Sequence, residues 1–410
     1  GHKVLGMAKK KTQANSDFLP LAVPHLGGRV PLRTAHPTVV TVHDLQPLDH
    51  PERFTPAKRA FLGWSLPRSL RTADVVVAIS QRVRSQVVDR FADGVSAHLV
   101  ASELDGHAYD GLLANYWLSG VAGHRLKHEL ELPLTTVFHT LARVKAETGD
   151  PEPQRRLDAE ASVIACSDII LANSDEEARQ LVDLYAAEPS RVEVVPPGVD
   201  HAFFSPGYQG GAREAVGLGP GPVLLFVGRI QPLKGVDVAV RTLADLDRTD
   251  ARLVVVGGAS GRDGPAEERR VRALVDGLDL ADRVTFVPPQ PHHSLSTWYR
   301  AADVLIMPSR SESFGLVALE AAACGVPVVA AAVGGLRTLV EHGRTGYLVD
   351  SRDSADYARH VARLLDDPAS ATEMAAAAAE RSWSYTWSAT ASRLHRICDD
   401  LTLRTLVDCS

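Results

Sequence analysis

At 410 residues the chain is long enough for two α/β domains with separate cores. Its formal net charge of −6 argues against general nucleic-acid binding, which draws on a basic excess, yet leaves room for a local basic pocket. No run of about 18 apolar residues occurs, so no membrane-spanning helix is expected, and the polar, basic start from Gly1 to Asn15 lacks the apolar core of a secretory signal.

In chain order, the N-terminal half alternates between short apolar runs and helical stretches. Candidate strands are Thr38–Val42, Asp74–Ile79, Ala97–Val100, Gly111–Ala114, Leu134–Phe138, Asp168–Ala172 and Val192–Val195. The stiff, turn-rich segment Val195-Pro196-Pro197-Gly198-Val199-Asp200 marks a domain junction. Beyond it the alternation is regular. Strands are expected at Pro222–Val227, Arg252–Val256, Arg283–Val287, Asp303–Met307 and Pro327–Ala331, with helices at Val236–Leu246, Ala266–Leu278 and Leu316–Ala323. Each strand candidate is aliphatic on both faces, as buried parallel strands are, which predicts a doubly wound sheet with ligands at the carboxyl ends of its strands. After Asp350 the chain reads as helical, and the aromatic trio Trp383, Tyr385 and Trp387 is suited to docking. The expected organisation is an N-terminal domain over 1–195 (its first 95 residues atypical), a second domain over 196–375, and C-terminal helices over 376–410.

The N-terminal half also carries an internal similarity. Thr41-Val42-His43 and Ala73–Ser80 recur as Val137-Phe138-His139 and Ser167–Ser174, offset by about 95 residues. Two readings are open: two similar units of one sheet, or a duplication of related domains with the first incomplete.

Three strings carry chemistry. Gly228-Arg229-Ile230-Gln231-Pro232-Leu233-Lys234-Gly235 follows a strand, and Arg229 and Lys234 can face one anion across the turn. They can equally be cations on a surface turn. Ser309–Glu320 places Glu312 in the loop before a helix and Glu320 inside it. The helix begins near Phe314 or Gly315, and the free N–H groups at its start would suit phosphate or sugar oxygens. The plainer alternative is a helix-start carboxylate and a partly buried ion-pair partner. Gly257-Gly258 and Gly334-Gly335 allow close backbone approach. In the N-terminal half, His139 and His43 each end a strand, where histidine is a sugar ligand or a structural residue. Tyr116-Trp117 ends another, and Arg155 and Arg156 belong to a site or to a solvated helix face. The four cysteines, Cys166, Cys324, Cys398 and Cys409, lie far apart without metal-site spacing. Reduced thiols, no disulfide framework and no metal are expected, in a cytoplasmic protein.

Together these strings resemble the retaining GT-B enzymes of glycosyltransferase family 4, with a closest look to the D-inositol-3-phosphate branch of mycothiol synthesis. The resemblance runs from about 109 to 395, through Tyr116–Gly120, His139–Lys145, Ala172–Tyr185, Phe226–Lys234, Ser311–Glu320 and Val326–Gly335. It implies two Rossmann-like domains with parallel sheets facing across a cleft. It implies a UDP-sugar as co-substrate, with no further cofactor and no metal. Implied catalytic residues are His139, Arg229, Lys234 and Glu312. Implied donor contacts are Gly228, Arg229, Lys234, Gly257, Gly258, Glu312, Ser313, Phe314, Gly315, Leu316 and Glu320. Tyr116, Thr140, Lys145 and Arg156 resemble residues that hold a small, phosphorylated acceptor. A homodimer is compatible with the sequence. The start departs from the family pattern: only Gly27-Gly28 stands where a glycine-rich loop is expected, and Pro31 and Pro37 oppose the long helix that follows such a loop. A nucleotide-sugar-binding protein with impaired catalysis, or a C–N-forming pseudoglycosyltransferase, are therefore the alternative functions.

Overall fold

The computed structural model describes residues 5–9, 25–27, 39–42, 75–78 and 109–409, except 151, 262 and 402–404. The candidate strand at 97–100, and His43, fall outside the described residues.

Three sheets are present among them. In the first, Tyr109–Asn115 (β5), Leu134–Val137 (β6), Ile169–Ala172 (β7) and Val192–Val194 (β8) run parallel, and Leu5–Lys9 (β1) adds to β5 antiparallel. The second, of six strands, orders Val284–Val287 (β11), Arg252–Val256 (β10), Val223–Val227 (β9), Val304–Met307 (β12), Val328–Ala331 (β13) and Gly346–Val349 (β14), all parallel. That is the doubly wound order, and its direction reverses between β9 and β12, where such sheets open a ligand crevice. The third is a parallel trio: His25–Gly27 (β2), Val39–Val42 (β3) and Val75–Ala78 (β4).

The internal similarity acquires a structural meaning here. In the third sheet Val39 stands opposite Val75. In the first, Thr135 stands opposite Ile169, the equivalent positions of the later unit. The two units share a register yet lie in different sheets, which favours duplication over two neighbours in one sheet.

The helices between the strands of the first sheet are Tyr116–Leu130 (α1), Ala142–Glu147 (α2), Gln154–Cys166 (α3) and Asp175–Tyr185 (α4). Then come Gln209–Ala215 (α5), Val236–Asp245 (α6), Gly264–Gly277 (α7), Leu295–Ala301 (α8), Leu316–Ala323 (α9) and Leu336–Leu339 (α10). Ser354–Asp366 (α11), Pro368–Ser382 (α12) and Trp387–Leu401 (α13) complete the chain. Alternation along β9 explains its unbroken apolar run. Leu224 and Phe226 pack with Val236, Val271 and Tyr357 on one face, while Val223 and Leu225 pack with Tyr299, Phe314 and Leu319 on the other. Both faces of the sheet are thereby covered.

The C-terminal aromatics do dock. Tyr385 meets Phe314 edge-on with ring centroids 5.8 Å apart, and Trp383 stacks on His201 at 3.9 Å. Trp387 stays half exposed. The 196–200 junction crosses this segment closely: Val199 N–H donates to the Tyr385 carbonyl at 3.0 Å, and a Cβ on Gly198 would lie 2.2 Å from the Trp387 nitrogen. From there α13 returns to the first sheet, where Ile397 and Leu401 pack on Val137, Ile169, Leu171 and Val195.

One expectation fails. Cys166 and Cys409, 243 residues apart, are not isolated thiols: their sulfur atoms lie within bonding contact, with Cα atoms 5.2 Å apart. Sequence spacing gave no sign of it because α13 carries the end of the chain back over the first sheet. Cys324 and Cys398 remain free. Among the described residues no helix is long and apolar enough to cross a membrane.

Candidate functional site

The strand-end loops of the second sheet converge at the β9/β12 reversal. After β9 the chain turns through Gly228 to the 3-10 turn Pro232–Lys234. After β12 it passes through Ser309 and Glu312 to Gly315, the N-cap of α9, whose φ of 103° suits glycine. Arg310 N–H donates to the Leu233 carbonyl at 2.8 Å, tying the two loops. A third loop joins through Gly335 N–H, which donates to the Glu312 carbonyl at 2.9 Å. Gly257, after β10, approaches closely enough that a Cβ there would lie 1.8 Å from the Gly228 carbonyl oxygen.

Lys234 Nζ donates to Glu312 Oε2 at 2.6 Å, both side chains less than one-fifth exposed. Arg229, earlier in the same loop, is exposed. Glu320 is buried one helical turn beyond the α9 start and does not reach Glu312's partner. Its two oxygens accept from Tyr299 Oη and His292 Nε2, each at 2.7 Å. The hydrogen bond to Glu320 holds the His292 imidazole above its ordinary pKa. Burial, with Glu320 beside it, pushes the Tyr299 phenol well above its ordinary range, so it remains a donor. Neither Tyr299 nor His292 was read from sequence as a site residue, since they lie 21 and 28 residues before Glu320 with no local spacing to mark them.

On the first sheet's side, Tyr116 and His139 follow adjacent strands β5 and β6. Both are non-glycine residues in the left-handed region, with φ of 74° and 60°. Such conformations persist only where surroundings enforce them, and they cluster at functional sites. Asn115 Oδ1 accepts from His139 Nε2 at 2.9 Å. Arg156 is buried, while Arg155 is exposed, which separates the two. The Arg156 guanidinium donates to Glu160 and Glu152, each at 2.7 Å, and to the Thr140 carbonyl and hydroxyl at 2.9 and 3.1 Å. It also lies over the Tyr116 ring, 5.2 Å from the centroid. Glu152 in turn pairs with Lys145, which also reaches Asp150 at 2.9 Å. Tyr116, Thr140, Lys145 and Arg156 thus form one cluster with His139 at its edge. Glu152 and Glu160 were missed, although their positions four before and four after Arg156 are the helical ion-pair spacing.

The two halves touch at Ser174, whose hydroxyl donates to the Ser313 carbonyl at 3.1 Å. The same oxygen caps α4, accepting from Glu177 N–H at 3.2 Å. Glu177 reaches back to accept from Asn173 N–H and Nδ2, both at 2.7 Å. Burial pushes the Glu177 carboxyl up to about 7 from its ordinary 4.5. The folded chain therefore keeps this proton where the unfolded chain has lost it, and stability falls as pH rises from about 4.5 to about 7. Glu177→Gln is expected to flatten that decline and to raise stability at pH 8 by roughly 3 kcal/mol. Denaturant midpoints of both proteins at pH 5 and pH 8 check it.

A doubly wound sheet with paired cation and carboxylates at its switch point, opposed by a second Rossmann-like sheet that is parallel but for β1, defines the GT-B class. Comparison with known proteins carries this further. Residues 93–203 match the model of Glycosyltransferase Family 4, and residues 212–381 match Glycosyl transferases group 1. D-inositol 3-phosphate glycosyltransferase of Acidothermus cellulolyticus is 50% identical over 293 residues, covering 69% of this chain and 65% of the relative. D-inositol 3-phosphate glycosyltransferase 2 of Catenulispora acidiphila is 49% identical, covering 69% of each. About a third of each relative's length therefore lies outside the match. Among solved structures, sucrose-phosphate synthase of Thermosynechococcus elongatus superposes with a TM-score of 0.76 at 27% identity, over 90% of both chains. HepE of Anabaena, solved with UDP and glucose, shares the fold, with a TM-score of 0.67 at 21% identity over 80% of this chain and 86% of that one. The chain belongs to this glycosyltransferase family.

Proposed function

We propose that the chain is a retaining glycosyltransferase that moves a sugar, N-acetylglucosamine or glucose, from a UDP-sugar to a small phosphorylated polyol. The observation that carries the reading is the Lys234–Glu312 contact at the β9/β12 switch point, where two loops and the start of α9 meet. A diphosphate seated there would gain negative charge as the bond from the sugar's anomeric carbon to its phosphate oxygen breaks. Arg229, Lys234 and the N–H groups at Phe314–Leu316 would offset that charge without a metal. Glu312, released from Lys234 as the phosphates arrive, would accept from sugar hydroxyls. Glu320, fixed by Tyr299 and His292, would accept from the ribose. The acceptor hydroxyl would attack from the face the diphosphate leaves, and the diphosphate oxygen would take its proton, which retains the anomeric configuration.

Lys145, Arg156, Thr140 and Tyr116 would receive the acceptor's phosphate, with His139 toward the sugar. The relatives' names make inositol 3-phosphate the first acceptor to test. In this reading the protein works in the cytoplasm, where nucleotide sugars are made.

UDP-sugars, and not their GDP or ADP counterparts, are expected to raise the melting temperature, since a ligand of the folded state stabilises it. With D-inositol 3-phosphate added, NMR of the product should show the donor's anomeric configuration. A donor that binds but is neither transferred nor hydrolysed would reduce the protein to a nucleotide-sugar binder.

A further inference from the structure

The contact between Cys166 and Cys409 is part of a larger cluster on the side of the first sheet occupied by α1 and α3. His124 and His128, four residues apart, occupy one face of α1. Cys166 is the last residue of α3, and Cys409 arrives on the tail beyond α13. One ligand atom from each of these four residues lies within 4.8 Å of the others. The His128 Nε2 is 3.4 Å from Cys166 Sγ and 3.3 Å from Cys409 Sγ, and the His124 Nε2 is 3.9 Å from Cys409 Sγ.

We propose that His124, His128, Cys166 and Cys409 form a structural zinc site that clasps the C-terminal tail to the N-terminal domain. The donor set is the two-cysteine, two-histidine combination that closed tetrahedral zinc sites use. Bond lengths of about 2.3 Å to sulfur and 2.0–2.1 Å to nitrogen put tetrahedral S···N edges near 3.6 Å, the range of the three sulfur-to-nitrogen distances above, and the two sulfurs would part to admit the ion. Two thiolates, formed as each thiol yields its proton on binding, would neutralise the ion's charge. A disulfide needs only the sulfurs and gives no role to two imidazoles that both direct Nε2 at them.

The tail is delivered to the site independently of any metal. Val407 N–H, two residues before Cys409, donates to Asp168 Oδ1 at 2.7 Å. Asp168 is itself held by Lys127, which stands between the two histidines on α1. The site is therefore pre-positioned by an ion pair that supplies none of its ligands.

The full chain, purified under reductant from zinc-supplemented medium, is expected to carry about one zinc ion per molecule by elemental mass spectrometry. His124→Ala leaves both cysteines in place, so it separates a metal site from a disulfide. It and Cys409→Ser should each lose the bound zinc and the thiolate-to-metal absorption of the cobalt-substituted protein. A strong chelator should lower the melting temperature of the parent chain and leave that of His124→Ala unchanged. Circular dichroism and the UDP-sugar thermal shift confirm that the variants are folded. A reduced parent chain without zinc, full zinc in either variant, or an intact mass short by two hydrogens in metal-free protein would overturn the proposal, the last in favour of a disulfide.

Discussion

Lys234→Ala is expected to lower kcat about a hundred- to a thousandfold, the usual consequence of removing one group that meets developing charge in a transition state. The reasoning starts from placement. Lys234 ends the turn after β9, in the centre of the sheet, and its ammonium is anchored by Glu312 from the neighbouring β12 loop. The pair is only partly buried, so losing the lysine leaves Glu312 in reach of solvent and costs the fold little. Loss of activity without loss of melting temperature therefore isolates the chemical role. Lys234→Arg should recover only part of the rate, because a planar fork replaces a compact point charge in a turn shaped for the latter. Glu312→Gln separates the partners: donor binding should survive because the ammonium is retained, while kcat falls because a neutral amide with one accepting oxygen replaces the charged carboxylate that would meet the sugar hydroxyls. Steady-state kinetics with a saturating UDP-sugar, beside melting curves, measure all three. Full turnover in Lys234→Ala would remove the proposed mechanism, whatever the donor.

Much of the second sheet was legible because its strands are buried on both faces. Aliphatic runs such as Arg252–Val256 end at the residues read from sequence, and the helix Leu316–Ala323 matches in both bounds. The meeting of Lys234 with Glu312 was legible only as a shared destination, since 78 residues separate them. The Arg155/Arg156 ambiguity was not resolvable from local pattern, because both stand in an acidic neighbourhood. Burial distinguishes the two without assigning a role: Arg156 needs Glu152, Glu160 and Thr140 around it to be taken from water, and Arg155 stays exposed. The plainer reading of Glu320 as a partly buried ion-pair partner agrees with its contact to His292 but not with the hydrogen bond it also accepts from Tyr299. What sequence could not show is anything made by the chain's return. Cys409 reaches Cys166, and Val407 reaches Asp168, only because α13 packs on β6 and β7, a contact with no signature nearer than its aliphatic face.

Lys127→Met is expected to destabilise the protein by about 3–5 kcal/mol, the effect of removing one partner from a buried ion pair. Lys127 and Asp168 are almost wholly excluded from water, and Lys127 Nζ lies 2.9 and 2.8 Å from the two carboxylate oxygens. The lysine's third donor goes to the Cys166 carbonyl at 2.8 Å. Asp168 also accepts from Leu134 N–H and Val407 N–H, each at 2.7 Å, so one carboxylate orders the start of β6, the start of β7 and the tail. Methionine keeps the length and apolar body of the lysine stem but leaves the charge on Asp168 paired only with two amides. The cost comes from that stranded charge more than from lost packing. Asp168→Asn alone should also destabilise, because the ammonium then faces only neutral oxygens. The double variant Lys127→Met/Asp168→Asn should recover a substantial part of the loss, since no buried charge remains and the asparagine oxygen still accepts from an amide. Denaturant unfolding of the three variants gives the coupling directly. Losses that simply add would show that the two side chains act separately, and that the tail is held by something other than this pair.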